Sequence, residues 1–345
     1  MGKIPIHDGV LTGAQAWAGP ELQHETTWIH HLTETDPDEV EVALRSVQHK
    51  GLEVPFAADD FQVPNLSRFL RTIPNTLENG PGFMLVRGLP RERFTAEECE
   101  LIYWGLGVQF GTPISQNTRG HLLGHVRDEG KTMDDPNARA YQTKSRLDFH
   151  CDQLPVDILG LFCVQGAKSG GASALVSAYT VHNVLREERP DLLDELYQPY
   201  YVDWRGENPP DEAPFYECPM FSYHDGKIST RFASLAYFRS VSRYGEEYAM
   251  SDAQAEALDY VQSIANRPEL RLTMMFEPGD MQFINNHTIL HSREAFEDYD
   301  EFERKRHLLR MWIAYPEDQR RSLSPLLAER YRFVEMGGIP KRVGV

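Results

Sequence analysis

The tightest constraint on the fold lies in the second half of the chain. Short apolar runs follow one another there between Gly, Pro and Asp turns and never settle into alternation with helices. Ile158–Val164 is a continuous apolar run; Ser173–Ser177, Lys227–Phe232, Leu272–Phe276, Met281–Ile284 and Leu308–Tyr315 are short and turn-bounded. Such runs read as strands. With no regular strand–helix–strand order, the pattern points to an antiparallel sandwich or barrel with helices packed outside it.

The helices are marked by periodicity and caps. One is expected at Pro37–His49 and one from Pro64 to about Leu77, followed by the turn Asn79-Gly80-Pro81-Gly82 and a buried strand at Phe83–Val86. Thr95 reads as an N-cap with Glu98 at the capping-box position, opening a helix that runs to near Gly107. A further helix begins around Tyr179–Val181 and reaches Leu196 with an interruption at Arg189-Pro190; another starts at Ser251, with Gln254 three residues on, and ends before Asn266. No composition shift marks a boundary. The expectation is one domain over 1–345: an irregular segment 1–60 packed on it, a core at about 80–315 and a C-terminal extension 316–345.

Charge narrows the function. There are 35 Lys and Arg against 52 Asp and Glu, a net charge of −17. Binding to a nucleic-acid backbone or an anionic membrane needs clustered cations, so neither is an expected partner. Long-range steering favours cationic or neutral small molecules. No stretch of about 18 apolar residues suggests a membrane span. Cys99, Cys151, Cys163 and Cys218 form no Cys-x-x-Cys pair and are too sparse for a disulfide scaffold, so a reducing cytoplasm is the expected location. Self-assembly into a homo-oligomer is compatible with everything in the sequence.

Three stretches could carry chemistry. In Leu147–Asp152, His150 and Asp152 are two apart, so an extended backbone points both side chains to one face. A bare His-x-Asp is common by chance and is usually a surface pair. The second stretch, Glu277–Arg293, launches from a Pro278-Gly279-Asp280 turn into an apolar strand carrying His287 and His291. It lacks the His-Glu-x-x-His of a zinc helix, and either histidine alone reads as a core or surface residue. In the third, Arg306 and Arg310 share a strand face with Leu308 and Trp312. Two guanidiniums on a half-apolar face call for anionic partners, and planar forks suit carboxylates. A solvated edge strand would explain them as well. Together the three change the balance: two histidines and one carboxylate form the facial set of non-haem Fe(II) oxygenases with open coordination positions, and an arginine 19 residues beyond His291 would anchor a dicarboxylate.

In these stretches, and in Ala140–Thr143 and Ala167–Ser173, the chain resembles the taurine/2,4-dichlorophenoxyacetate dioxygenase family of Fe(II)- and 2-oxoglutarate-dependent oxygenases, over roughly residues 80 to 315. The resemblance implies a mainly β fold with flanking helices, a double-stranded β-helix (jelly roll). It implies that His150, Asp152 and His291 hold Fe(II), while His287 matches a non-ligand position. Arg310 would clamp the distal carboxylate of 2-oxoglutarate with help from Ser173, where relatives often carry Thr, and Arg306 would lie near the carboxylate next to the iron. Cys151 stands where relatives often have Thr or Ser and is read as packing. Because Asp152 is present, halogenation is not expected; that chemistry needs a small residue there to make room for halide.

The implied reaction uses Fe(II), 2-oxoglutarate and O2 to oxidise a C–H bond of a small organic metabolite, by hydroxylation or oxidative cleavage, with succinate and CO2 as coproducts. Two other readings stay open: a zinc-dependent hydrolase on the same triad, and a non-catalytic ligand-binding jelly roll. Neither needs the Arg310 clamp. For the substrate, the candidates are Gln116 and Asn117 in the polar loop 115–120, Lys144 and Asp148 flanking the first metal motif, and the aromatic-dense stretch 197–248, which would suit an apolar or cationic group. Ordinary core and lid packing is the rival reading for any one of those aromatics.

Overall fold

A computed structural model describes residues 6–132, 139–209 and 212–342. Most strands fall into two sheets. The larger has seven strands: β1 (Ile29–His31), β2 (Phe83–Arg87), β3 (Thr112–Ile114), β4 (Leu123–Val126), β6 (Ile158–Gln165), β9 (Met281–Asn285) and β11 (His307–Ala314), the intervening labels belonging to the smaller sheet. Their order is β1-β2-β9-β6-β11-β3, with β4 also paired to β11. The smaller sheet is β8 (Leu272–Met274), β7 (Ser173–Ser177), β10 (Ile289–Arg293) and β5 (Leu147–His150), in that order. All these pairings are antiparallel except β1 with β2. The architecture is a sheet-rich mixed fold with helices outside it, as the strand pattern requires.

Strand alternation divides the interior. On β11, Leu309, Met311 and Ile313 join an apolar layer with Val40, Leu44, Ile102 and Leu106 from the helices Asp36–His49 and Ala96–Gly107. Leu308, Arg310 and Trp312, the alternate residues, line a cavity on the other side, together with Arg306 just before the strand. The shared strand face expected for these four residues is therefore present. Both expected capping boxes form, Thr95 with Glu98 and Ser251 with Gln254. The helix expected from Pro64 to Leu77 is broken into Leu66–Leu70 and Ile73–Asn79, because Pro74 fits only in a first turn.

The stretch Met281–Arg293 is not one strand. β9 lies in the large sheet and β10 in the small one, and the chain changes sheet through the turn Asn286-His287-Thr288. His287 sits at this corner, fully buried, while His291 lies on β10. Among the described residues no helix is long and apolar enough to cross a membrane.

Candidate metal centre and active site

His150 and His291 face each other across adjacent strands, in register on β5 and β10, with ring centroids 4.1 Å apart. Asp152 follows two residues after His150, where the chain leaves β5. Its Oδ1 lies 3.8 Å from Nε2 of each histidine. All three are buried, and their ligand atoms lie within 4.8 Å of one another, the one such His/Cys/Asp/Glu group among the described residues. A separation of 3.8 Å is too long for a hydrogen bond and suits three donors around one cation.

The surroundings prepare these atoms. His150 Nδ1 is 2.8 Å from the Asp148 carbonyl, which can only accept, so Nδ1 carries the proton and Nε2 offers its lone pair. Asp152 Oδ2 is engaged by Arg310 at 3.1 Å and by the Trp312 indole N–H, leaving Oδ1 for the metal. Asn286 fixes the backbone: its Oδ1 accepts from Asp152 N at 2.8 Å and its amide donates to the Asp152 and Leu154 carbonyls. Burial pushes the Asp152 carboxyl up, but Arg310 and the two histidines pull harder, and it ends below the usual carboxylate range. Burial, with His150 alongside, holds the His291 imidazolium off down to about 3. A neutral imidazole pair with one carboxylate is the protonation state a divalent cation needs.

The two arginines have different neighbours. Arg310, expected at the far carboxylate of the cosubstrate, stands against the metal ligand Asp152. Its Nε donates to Gln116 Oε1 at 2.7 Å, and its guanidinium lies over the rings of Tyr141 and Trp312. Arg306, expected near the cosubstrate carboxylate next to the iron, lies toward the Gly170-Gly171 turn and the Phe296 ring. Gly171 has φ +76°, and a Cβ there would come to 3.4 Å from Arg306 Nε. Arg306 is buried, its Nη1 has no hydrogen-bond partner, and burial lowers it to about 10. Arg293, on β10 directly opposite Ser173, is similarly placed: it donates to the Thr143 and Ser145 carbonyls, yet its Nη1 and Nε are unmatched, and burial with Arg306 nearby lowers it to about 9. Ser173, Arg293 and Arg306 all line the same cavity as the triad.

Of the substrate candidates, Gln116 and Asn117 line a second cavity next to the first. The Lys144 and Asp148 side chains line neither cavity. Both are exposed, with Asp148 ion-paired to Arg146 at 3.5 Å, because outward positions on the approach to β5 face solvent. Tyr197, Tyr200, Trp204, Tyr216, Phe221, Phe232 and Phe238 pack in the core, so the stretch 197–248 is mostly structural; Tyr237 is its one aromatic on the triad's cavity. Sequence reasoning did not single out Asn286, Trp312 as a donor, Arg139 or Tyr141. Only Trp312 left a signal, by sharing a strand face with Arg310.

Comparison with known proteins agrees with this geometry. Residues 48–312 match the family described as taurine catabolism dioxygenase TauD, TfdA family. FR-33289 synthase of Streptomyces rubellomurinus is 32% identical over 311 residues, covering 88% of this chain and 90% of that protein. An asparagine oxygenase solved with Fe(II), 2S,3S-3-hydroxyasparagine and succinate superposes with TM-score 0.64 at 17% identity, over 83% of this chain and 93% of that one. The non-haem iron oxygenase OrfP, solved with Fe and alpha-ketoglutaric acid, gives 0.60 at 18% identity, over 87% and 98%.

Proposed function

The chain belongs to the taurine catabolism dioxygenase TauD/TfdA family, and on that footing we propose how its residues divide the work of a 2-oxoglutarate-dependent non-haem iron dioxygenase acting on a small molecule. His150, Asp152 and His291 hold Fe(II). The observation that carries this assignment is the pair of Nε2 atoms, each 3.8 Å from the same buried carboxylate oxygen, with the far side of His150 already tied to a carbonyl. Once bound, iron and 2-oxoglutarate supply the oxidising power: the oxo acid is decarboxylated to succinate and CO2, and O2 furnishes the oxygen that goes to the substrate.

The protein's own part is placement. Arg306 takes the far carboxylate of 2-oxoglutarate, with Ser173 as a hydroxyl donor and Arg293 behind them. A buried guanidinium with an unmatched N–H is costly until an anion fills it. Arg310 keeps Asp152 ionised and oriented. Leu159, Leu161, Leu308 and Trp312 give the cavity an apolar wall that keeps water from the reacting carbon. The two sheets are the halves of a double-stranded β-helix, and the whole chain acts as one oxygenase domain. Four free, buried thiols suit a reducing compartment such as the cytoplasm.

The test is anaerobic addition of Fe(II) and 2-oxoglutarate. A visible charge-transfer band that needs both, together with oxygen-dependent succinate release, is expected. Activity with zinc alone, or no band, would overturn the assignment.

A further inference from the structure

Gln116 lies two residues beyond β3 and lines the cavity next to the triad's own, where the sequence suggested a substrate contact. Its carboxamide is already committed to the protein. Both N–H groups donate to backbone carbonyls, one to Leu122 at 2.9 Å and one to Arg310 at 2.8 Å. The oxygen accepts from Arg310 Nε at 2.7 Å. With 1% of its surface exposed, the residue has no donor left to offer a ligand. It reaches Arg310 twice, once at the main chain and once at the side chain.

A neighbouring strand is shaped around this contact. On β4, Gly124 is the register partner of Arg310 on β11. A Cβ at Gly124 would come to 2.8 Å from Gln116 Oε1, closer than non-bonded atoms approach. The strand thus lacks a side chain at the point where the carboxamide oxygen sits. On the far side of the guanidinium, Arg310 Nη1 is 3.1 Å from Asp152 Oδ2, and the rings of Tyr141 and Trp312 lie against it at 4.7 and 5.2 Å. A free arginine side chain samples many rotamers, and freezing them costs free energy. A bond at Nε fixes the plane of the fork before it meets the carboxylate.

Resting on the oxygenase reading, we propose that Gln116 is a positioning residue for the metal centre: it sets the plane of the Arg310 guanidinium, which in turn holds Asp152 Oδ2 and leaves Oδ1 turned to the two histidines. In this role Gln116 touches neither the metal nor the substrate. The relay runs from Gln116 Oε1 through Arg310 Nε and Nη1 to Asp152 Oδ2, with Gly124 supplying the room. The neutrality of the amide matters. A carboxylate at this place would pair with the guanidinium and divide its charge between two anions. An amide oxygen orients the fork and leaves that charge to Asp152.

The experiment is a double-substitution cycle read as Fe(II) affinity. Fe(II) is titrated anaerobically into the full chain with saturating 2-oxoglutarate, following the visible charge-transfer band. Gln116→Met should weaken Fe(II) about three- to tenfold. Gly124→Ala removes no polar group and meets the flexible tip of Gln116 first, so it should fold normally and weaken Fe(II) in the same direction. Arg310→Lys puts a methylene where arginine has Nε, so the carboxamide oxygen has nothing left to orient. Adding Gln116→Met to it should change Fe(II) affinity by less than about twofold. The bond from Gln116 to the residue-310 carbonyl survives in Arg310→Lys, so a merely structural Gln116 would give the same loss in both backgrounds. Thermal melts of the metal-free chains report that structural part separately. Where Gln116→Met does not fold, Gly124→Ala and its combination with Arg310→Lys carry the same cycle. Equal losses in both backgrounds, or Fe(II) affinity unmoved in the folded variants, would overturn the proposal, while a normal band in the unsubstituted chain leaves the oxygenase reading standing. Absence of that band brings down the oxygenase reading instead.

Discussion

His287 and His291 are four residues apart, each facing an aspartate, and they could hardly be used more differently. His287 Nε2 lies 3.2 Å from Asp157 Oδ1, and Asp157 Oδ2 accepts from Tyr315 N at 2.8 Å and from the Tyr331 hydroxyl. Every oxygen of that carboxylate is taken by the protein, and both residues are essentially inaccessible. At Asp152, one oxygen is taken by Arg310 and Trp312, and the other faces two imidazoles from 3.8 Å without bonding to either. The first pair is closed and ties the C-terminal helix Pro325–Glu335, through Tyr331, to the sheet corner. The second is held open by its neighbours. Closed buried pairs serve architecture; an oriented pair with a gap is what a metal fills.

The largest effect that can break this contrast is loss of the reaction. His150→Ala, Asp152→Ala and His291→Ala are each expected to abolish 2-oxoglutarate turnover in a chain that still folds, since a facial site needs all three protein ligands. His287→Ala should keep measurable iron binding. Succinate release and iron content check this, and iron lost in His287→Ala but retained in His291→Ala would reverse the roles.

The closed pair should show itself in stability. Asp157→Ala strands buried donors from His287, Tyr315 and Tyr331 and is expected to cost about 3–5 kcal/mol in urea unfolding. The pair also sets a pH limit. Burial lowers His287 to about 4, from an ordinary 6.5. Above pH 6.5 the histidine is neutral in both states and contributes nothing. As pH falls from 6.5 toward 4, the unfolded chain takes up a proton that the fold refuses, so stability drops, by at most about 3 kcal/mol for one such histidine. His182, also lowered to about 4 by burial, acts in the same direction. Thermal melts that are flat over this range would show that His287 and His182 titrate normally.

The difference between the two pairs was only partly legible in the sequence. Strand alternation put Arg306, Leu308, Arg310 and Trp312 on one face, and the two capping boxes were readable from a few residues each. What could not be read was which apolar run changes sheet. Met281–Arg293 is buried throughout, its polar residues included, and only the tertiary corner at Asn286–Thr288 separates His287 from His291. Alternation likewise gives the face of a strand but not the depth of the cavity at each residue, so it does not say what each of the two arginines meets.

The arginines offer a sharper cut. Arg306→Lys keeps the charge but loses the fork, and a charged hydrogen bond of about 1.5–3 kcal/mol should appear as a roughly 10- to 150-fold higher KM for 2-oxoglutarate. Arg310→Lys should move that KM less and weaken iron retention instead, because its partner is Asp152. The opposite ranking in steady-state kinetics would restore the division in which Arg310 holds the far carboxylate.

The smallest expected effect isolates how the open pair is kept open. Trp312 donates its indole N–H to the same Asp152 oxygen that Arg310 engages, so the carboxylate has two holds on its non-ligating side. Trp312→Phe removes one donor and keeps an aromatic ring in the wall. With Arg310 still in place the oxygen is not stranded, and the cost is that of one neutral donor to a charged acceptor, on the order of 1 kcal/mol, or a several-fold weaker hold on Fe(II). Trp17→Phe is the control. Its indole donates to the Pro81 carbonyl at 2.8 Å, in the same apolar core but with no metal ligand as acceptor. It should lower stability by a similar amount and leave Fe(II) affinity unchanged. Fe(II) titrations monitored by the charge-transfer band separate the two variants. Equal iron affinity in both would mean that Arg310 alone orients Asp152.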